Sequence, residues 1–449
     1  MVEIRRQGHW LGSHVPKRRM IADQTRQSCS GFLASAAGAT ILLAGLCTLP
    51  GQAESKSLFD VTVNAGGTSG SKGFSSFNGF SNAFADTNSL NDINPNYTST
   101  SPATVDGNLR GVDIQVLYPS SGPGLVFVVP GLNERITFNS QSTRSGNEDD
   151  LESYLENDTD KIVTRILGLL VETTATDPVA GNPNSLQSKM IEADFAFGSN
   201  VSPLNGSRGT STGSAEGNAP NLLSLAARYG RFQAQGNDVN VVDLPLAYTV
   251  PLADPRYAFI FSAPISYTDI EGYQSYAGSL GVGFRFPVLN FWDLTPAVRI
   301  GATGSEDLGA LAVLASASLT SNLNFEFNGL ELDIGNLLAY IQTSDTPVDV
   351  GDFDASYDLE NTVTRNGLSL RGSLGRDFLS LPANWAVAVV NTQIFGDAVY
   401  IDNYTDISIS IGTQASSNGL TWDSIRLGLT YTFSDKDFEG IRINFGYQF

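Results

Sequence analysis

Three groups of residues in this 449-residue chain have the types and spacing to do chemistry. Asp345, Asp349, Asp352, Asp354, Asp358 and Glu360 place six carboxylates within sixteen residues. Oxygen ligands at that density can hold Ca²⁺, although the spacing of an EF-hand loop is absent. The plainer account is a solvated acidic loop. Arg285, Arg299, Arg371, Arg426 and Arg442 fall where a period-two pattern turns them to one face. There they could line a conduit, since rings of charge set selectivity in pores. They could equally close it by pairing with Asp or Glu across it. Ser185 lies four residues before Lys189, not in a Ser-x-x-Lys pattern, and Lys56, Lys72, Lys161 and Lys436 offer no better dyad.

The missing residue types exclude more chemistry than the present ones suggest. Residues 1–53 read as an export leader. Arg5, Arg6, Lys17, Arg18, Arg19 and Arg26 precede an apolar stretch over 31–49, then Pro50 and a Gly51-Gln52-Ala53 site of the kind signal peptidase reads. Cleavage is expected after Ala53. Arg18-Arg19 fits twin-arginine export poorly, and Leu46 before Cys47 argues against a lipoprotein. Six of the 26 basic and two of the 46 acidic residues leave with the leader, so 20 and 44 remain, a net charge of −24. His9, His14, Cys29 and Cys47 leave as well, and no His or Cys follows. Disulfides, thiol nucleophiles, imidazole or thiolate metal sites and His-based triads are thereby excluded. No cofactor is expected, and the negative charge argues against nucleic acid as a partner.

The elements that must position these residues divide the chain in four. Residues 54–107 are rich in Gly, Ser, Asn and Phe, with an echo between Gly73 and Phe84, and read as a flexible arm. Residues 108–198 read as a small α+β module. Val112, Ile114 and Val116 alternate, Leu125 to Val129 is an apolar run, and a third strand spans Arg135 to Phe138. A helix capped by Asn147 follows, with Leu151, Tyr154, Leu155, Ile162, Ile166 and Leu170 at helical spacing and acids in its first turn. Past a break at Pro178–Asn184, Leu186, Met190 and Ile191 fit a shorter helix. Residues 199–221 hold almost nothing to bury and read as a linker.

From Leu222 to the end the period is two. Ile425, Leu427, Leu429, Tyr431 and Phe433 alternate with polar residues, as do Ile441, Ile443, Phe445, Tyr447 and Phe449. Tyr257-Phe259-Phe261, Leu280-Val282-Phe284-Phe286 and Ile407-Ile409-Ile411 repeat the design, with turns such as Asn328-Gly329 between. About twelve such segments fit between 222 and 449. Their second face carries Gly, Ser, Thr and Arg, too polar for a dry core. A sheet with an apolar outside satisfies its backbone in lipid only by closing, so residues 222–449 are expected to form an antiparallel transmembrane β-barrel. The fold class is mainly β.

The last strand resembles the C-terminal signature of bacterial outer-membrane proteins, an aromatic final residue with apolar residues at every second position before it. Ile441, Ile443, Phe445, Tyr447 and Phe449 match it. The resemblance implies recognition by the outer-membrane assembly machinery, a bacterial outer-membrane location, and lipid and lipopolysaccharide as surroundings. A soluble-looking region before a barrel also resembles an autotransporter. No β-helix repeats precede the barrel, however, and the nearest helix that could fill the pore, Leu186 to Phe195, is separated from it by the linker. Outer-membrane phospholipases and aspartate-histidine proteases need a histidine that is absent, so no enzyme is expected. Three readings remain: a barrel that anchors or exports its N-terminal module, a diffusion channel with a periplasmic module, and an adhesive surface protein. An even strand count keeps the module periplasmic unless the chain threads the lumen.

Overall fold

A computed structural model describes residues 57–84, 86–201, 221–344, 348–350, 353–378, 381–413 and 424–448. The expected leader, most of the linker and Phe449 lie outside the described residues.

Alternation builds the N-terminal module as well as the barrel. β1 (Phe59–Ala65) buries every second residue, Phe59, Val61, Val63 and Ala65. It lies between β2 (Thr68–Phe74) and β3 (Ala103–Leu109), and β4 (Val112–Tyr118), β5 (Leu125–Val129) and β6 (Glu134–Phe138) complete a six-stranded antiparallel sheet in the order β2-β1-β3-β4-β5-β6. Helices α1 (Phe77–Phe84), α2 (Thr87–Ile93), α3 (Arg144–Glu156) and α4 (Ile162–Thr173) contribute Phe80, Phe84, Leu90, Leu151, Ile166 and Leu170 to the same core. The described residues of the arm expected to be flexible over 54–107 instead form β1, β2, β3, α1 and α2. Its period-two Phe59-Val61-Val63 and its aromatics at helical spacing supply the apolar area that its Gly-Ser-Asn composition conceals.

The expected long helix differs too. Thr143 caps α3 by accepting from Gly146 N, while Asn147 is buried within the helix and donates to the Pro123 carbonyl at 3.0 Å. Asp158, Asp160 and Lys161 adopt φ of 43°, 57° and 55°, which breaks the chain into α3 and α4.

The barrel has twelve antiparallel strands. In order they are Leu222–Ala234; Asn237–Leu244 resuming as Leu246–Pro251; Ala258–Ser262 resuming as Ile265–Ile270; Tyr273–Leu289; Trp292–Ser305; Ala310–Phe327; Leu330–Thr343; Glu360–Phe378; Leu381–Gly396; Asn403–Thr413; Ser424–Ser434; and Phe438–Gln448. The interruptions in the second and third strands fall at Pro245 and at Ala263-Pro264, where proline has no N–H for the ladder. The last strand pairs with the first, Ile443 opposite Tyr229 and Phe445 opposite Ala227, so no edge is left open. Gln235-Gly236, Glu271-Gly272 and Asn328-Gly329 all have positive φ at both residues, the geometry of two-residue hairpins whose twist matches the strands. Outside, Leu280, Val298, Ile300, Ile409, Ile441 and Phe445 stand exposed. Inside, Ser, Thr, Asn and Arg are buried.

Candidate functional site

The inward faces of the strands enclose a helix. α5 (Leu186–Gly198) starts at Ser185, whose side chain accepts from Ser188 N, and every residue from Leu186 to Gly198 except Lys189, Glu192 and Phe197 is fully buried or bears no exposed face. Space for it comes from glycines on the wall. A Cβ on Gly301 would lie 2.8 Å from Met190 Sδ and 3.0 Å from Leu186. Gly335 and Gly367 leave room in the same way for Phe195 and Val201.

Charge fastens what shape admits. Glu192 accepts from Arg228 at 2.5 Å and from Arg442 at 2.8 Å, so one helix carboxylate holds two wall guanidiniums. Asp194 accepts from Arg299 Nε at 2.9 Å and Nη2 at 2.7 Å, and from Ser318 Oγ at 2.8 Å. Lys189 donates to Asp243. Arg365, bound to Asp406 at 2.7 Å, lies over the Phe195 ring at 5.4 Å. Beyond the helix, Asn200 N donates to Asn322 Oδ1 at 2.9 Å, its side chain donates to Asp333 at 3.1 Å, and its carbonyl accepts from Arg371 Nη2 at 3.1 Å. A low-dielectric interior makes such pairs costly to break from one side.

All five arginines singled out in the sequence point inward and are buried. Arg299, Arg371 and Arg442 grip α5 or the segment just after it. Arg285 donates to the Pro255 and Arg256 carbonyls, and Arg426 to Ser410 and Asn384. Sequence reasoning missed the partners on the helix, Lys189, Glu192 and Asp194. Three ionisable residues on one short helix, beside strands with inward glycines, were the available signal.

The acidic run is divided. Asp345 and Asp352 lie outside the described residues; Asp349 and Asp354 fall on a small hairpin, Val348–Val350 with Phe353–Ala355, between the seventh and eighth barrel strands. Asp358 is 3.8 Å from Lys161 at the surface. Among the described residues no three carboxylates are grouped as a metal site.

The module sits at the barrel end opposite to Leu222 and Gln448. Its contacts are with the loops there. Gln235, in the first turn, accepts from Ala175 N at 2.8 Å and donates to the Thr173 carbonyl at 2.9 Å. Tyr273 OH donates to the Phe74 carbonyl at 2.8 Å, and Phe77 N donates to Asp307 O at 2.8 Å. Tyr400 N and Ile401 N donate to the carbonyls of Val171 and Gly181. At the centre Asp177, wholly buried, pairs with Arg110 at 3.2 Å and accepts from Tyr357 OH at 2.9 Å. The chain thus leaves the module at this far end, descends the lumen as α5, and reaches Asn200 near the end where the first strand begins. Leu186 to Phe195 is the pore-filling helix, despite the linker after it. A narrow crevice of about 60 Å³ remains between α5, the first four strands and the last, bordered by Ala193, Ala196, Pro245, Pro264, Ser279 and Gly446.

No protein-family model matches the sequence, and a search of the curated proteins gives no match. Solved structures that resemble the chain are outer-membrane β-barrels. The β domain of the Bordetella autotransporter BrkA has 14% identity and a TM-score of 0.39, covering 51% of this chain and 99% of that one. The translocator domain of the autotransporter NalP from Neisseria meningitidis has 11% identity and a TM-score of 0.39, covering 59% and 96%. An outer membrane channel from Pseudomonas putida has 13% identity and a TM-score of 0.36, covering 53% and 97%.

Proposed function

We propose that this protein is a non-enzymatic outer-membrane barrel that passes its own chain through its lumen and holds its N-terminal module at the cell surface, as an autotransporter does. The observation that carries this reading is α5, fastened inside a closed barrel by Arg228, Arg299 and Arg442, with the module on the end away from the barrel termini. An even number of strands leaves both barrel termini on one side, which in outer-membrane barrels is the periplasm. The module then lies outside. The apolar outer wall, the leader over 1–53 and the terminal Ile441-Ile443-Phe445-Tyr447-Phe449 pattern support the same compartment. A diffusion channel would need the lumen that α5 occupies.

Trypsin added to intact cells tests the reading. Lys72, Arg135 and Lys161 are accessible in the module. Cleavage there, with a C-terminal epitope preserved, is the expected result. A module that is cut only after the outer membrane is opened would place it in the periplasm and overturn the reading.

A further inference from the structure

The apolar belt on the outside of the barrel is not equally tall all the way round. On the fourth strand the outward positions run apolar from Tyr276 through Leu280, Val282, Phe284 and Phe286 to Val288, broken only by Gly278. The second strand offers Val242, Leu244, Leu246, Tyr248 and Val250, and the fifth Trp292, Leu294, Pro296, Val298, Ile300 and Ala302. Such runs match the length of about 9–11 residues with which a tilted strand crosses hydrocarbon. The eighth to tenth strands fall short of it. Their outward apolar residues are Leu368, Leu370 and Leu374, then Trp385, Val387 and Val389, then Ile407, Ile409 and Ile411. Toward the module the same faces turn polar, with Thr362, Thr364 and Asn366 on the eighth, Asn391 and Gln393 on the ninth, and Asn403 and Thr405 on the tenth. Gln393 lies opposite Thr364, and Asn391 opposite both Asn366 and Thr405, so they form one patch bordering the belt. Asn391 donates to Asn403 and Thr405 within it. Phe395, exposed beyond Gln393, is an aromatic of the kind that flanks such a belt.

We propose that the outer leaflet is thinned against these three strands, and that its hydroxyl-rich headgroups descend to Asn366 and Asn391. This rests on the membrane reading above and on the placement of the module at the cell surface. Hydrocarbon drawn up to Thr362 would strip uncharged hydroxyls and amides of their water, whereas fitting a bilayer to a short strand is cheap by comparison. A tilted barrel would shift the apolar run along these strands without shortening it. The occupant follows from charge. No outward position from Thr362 to Leu370, from Val387 to Phe395 or from Asn403 to Ile411 carries a basic residue, and Glu360 stands at the rim. The patch therefore suits sugar hydroxyls and their water, which both donate and accept, rather than a bare phosphate.

No cysteine follows Cys47, so single substitutions give clean reporters in the full-length protein, each checked for the heat-modifiable folded form. A membrane-impermeant maleimide added to intact cells is expected to label Asn366→Cys and Asn391→Cys at rates within about threefold of Thr362→Cys. Val282→Cys and Val298→Cys, in the tall part of the belt, are expected to react at least about tenfold more slowly, because hydrocarbon excludes the reagent. Asn366→Cys as slow as Val282→Cys would overturn the proposal. So would an Asn366→Cys that matches Thr362→Cys in dioleoyl phosphatidylcholine vesicles but is shielded in cells, since a protein would then cover the patch. The readings beneath the proposal fail differently. Val282→Cys as fast as Thr362→Cys would remove the membrane reading, and Thr362→Cys labelled only after the outer membrane is opened would remove the surface placement, each taking the proposal with it.

Discussion

Glu192 carries the heaviest electrostatic duty of any residue on α5, because Arg228 and Arg442 both depend on it. Replacing it by alanine leaves two buried guanidiniums without their anion, a loss of about 3–5 kcal/mol for a broken buried pair. The urea midpoint of the folded barrel is expected to fall accordingly, while Asp149→Ala on the exposed face of α3 leaves it unchanged. Glu148 makes a different kind of prediction. It is buried in the module, where it accepts from Tyr118 OH at 2.8 Å and Thr87 Oγ1 at 3.0 Å. Burial pushes its carboxyl above the ordinary 4.5. An acid raised in the folded state binds its proton more tightly there than when unfolded. Its contribution is therefore full below the unfolded value and is lost as pH rises through the folded one, by about 1.4 kcal/mol for each tenfold change in proton affinity. Glu148→Gln is expected to flatten the part of the stability profile that falls as pH rises above 4.5, read by tyrosine near-UV signal during thermal unfolding. An unchanged slope would contradict this.

At the scale of elements, legibility followed periodicity. Ile441, Ile443 and Phe445 alternate with Arg442 and Asn444, and the structure exposes the first three and buries the other two. A strand with lipid on one side and polar lumen on the other has only that way to arrange itself. α5 was legible as a helix but not as a plug. A helix enclosed on every side needs no apolar stripe, so Gln187, Ser188, Met190 and Asp194 are all buried and the sequence shows no face to dock. The clue lay on other elements, in Gly301, Gly335 and Gly367 opposite Met190, Phe195 and Val201. In β1 the alternation of Phe59, Val61 and Val63 was present, but the Gly-Ser-Asn background around it spoke for disorder. The barrel ladder closes through strands alone, without any bond from α5. Deleting residues 186–201 is therefore expected to leave a folded, heat-modifiable barrel whose conductance in a planar bilayer rises on the order of tenfold, since nothing else described fills the lumen. Conductance unchanged from the intact protein would mean that α5 is not what closes it.

At the scale of the whole molecule, the two halves belong together through one thread. The module core, the Asp177-Arg110-Tyr357 cluster at the barrel mouth and the ion pairs along α5 form a continuous path from sheet to lumen. That path places the module on the side opposite to the barrel termini, which strand counting alone had assigned to the periplasm. The measurement that tests it most directly is a cross-link between helix and wall. A Cβ on Gly335 would lie 3.0 Å from Ser199 Cβ, close to the separation a disulfide spans after a small adjustment. The Ser199→Cys/Gly335→Cys protein, oxidised in whole cells, is expected to form that disulfide and to resist thiol alkylation. Two freely alkylated thiols in a correctly folded barrel would contradict a chain that runs through its lumen.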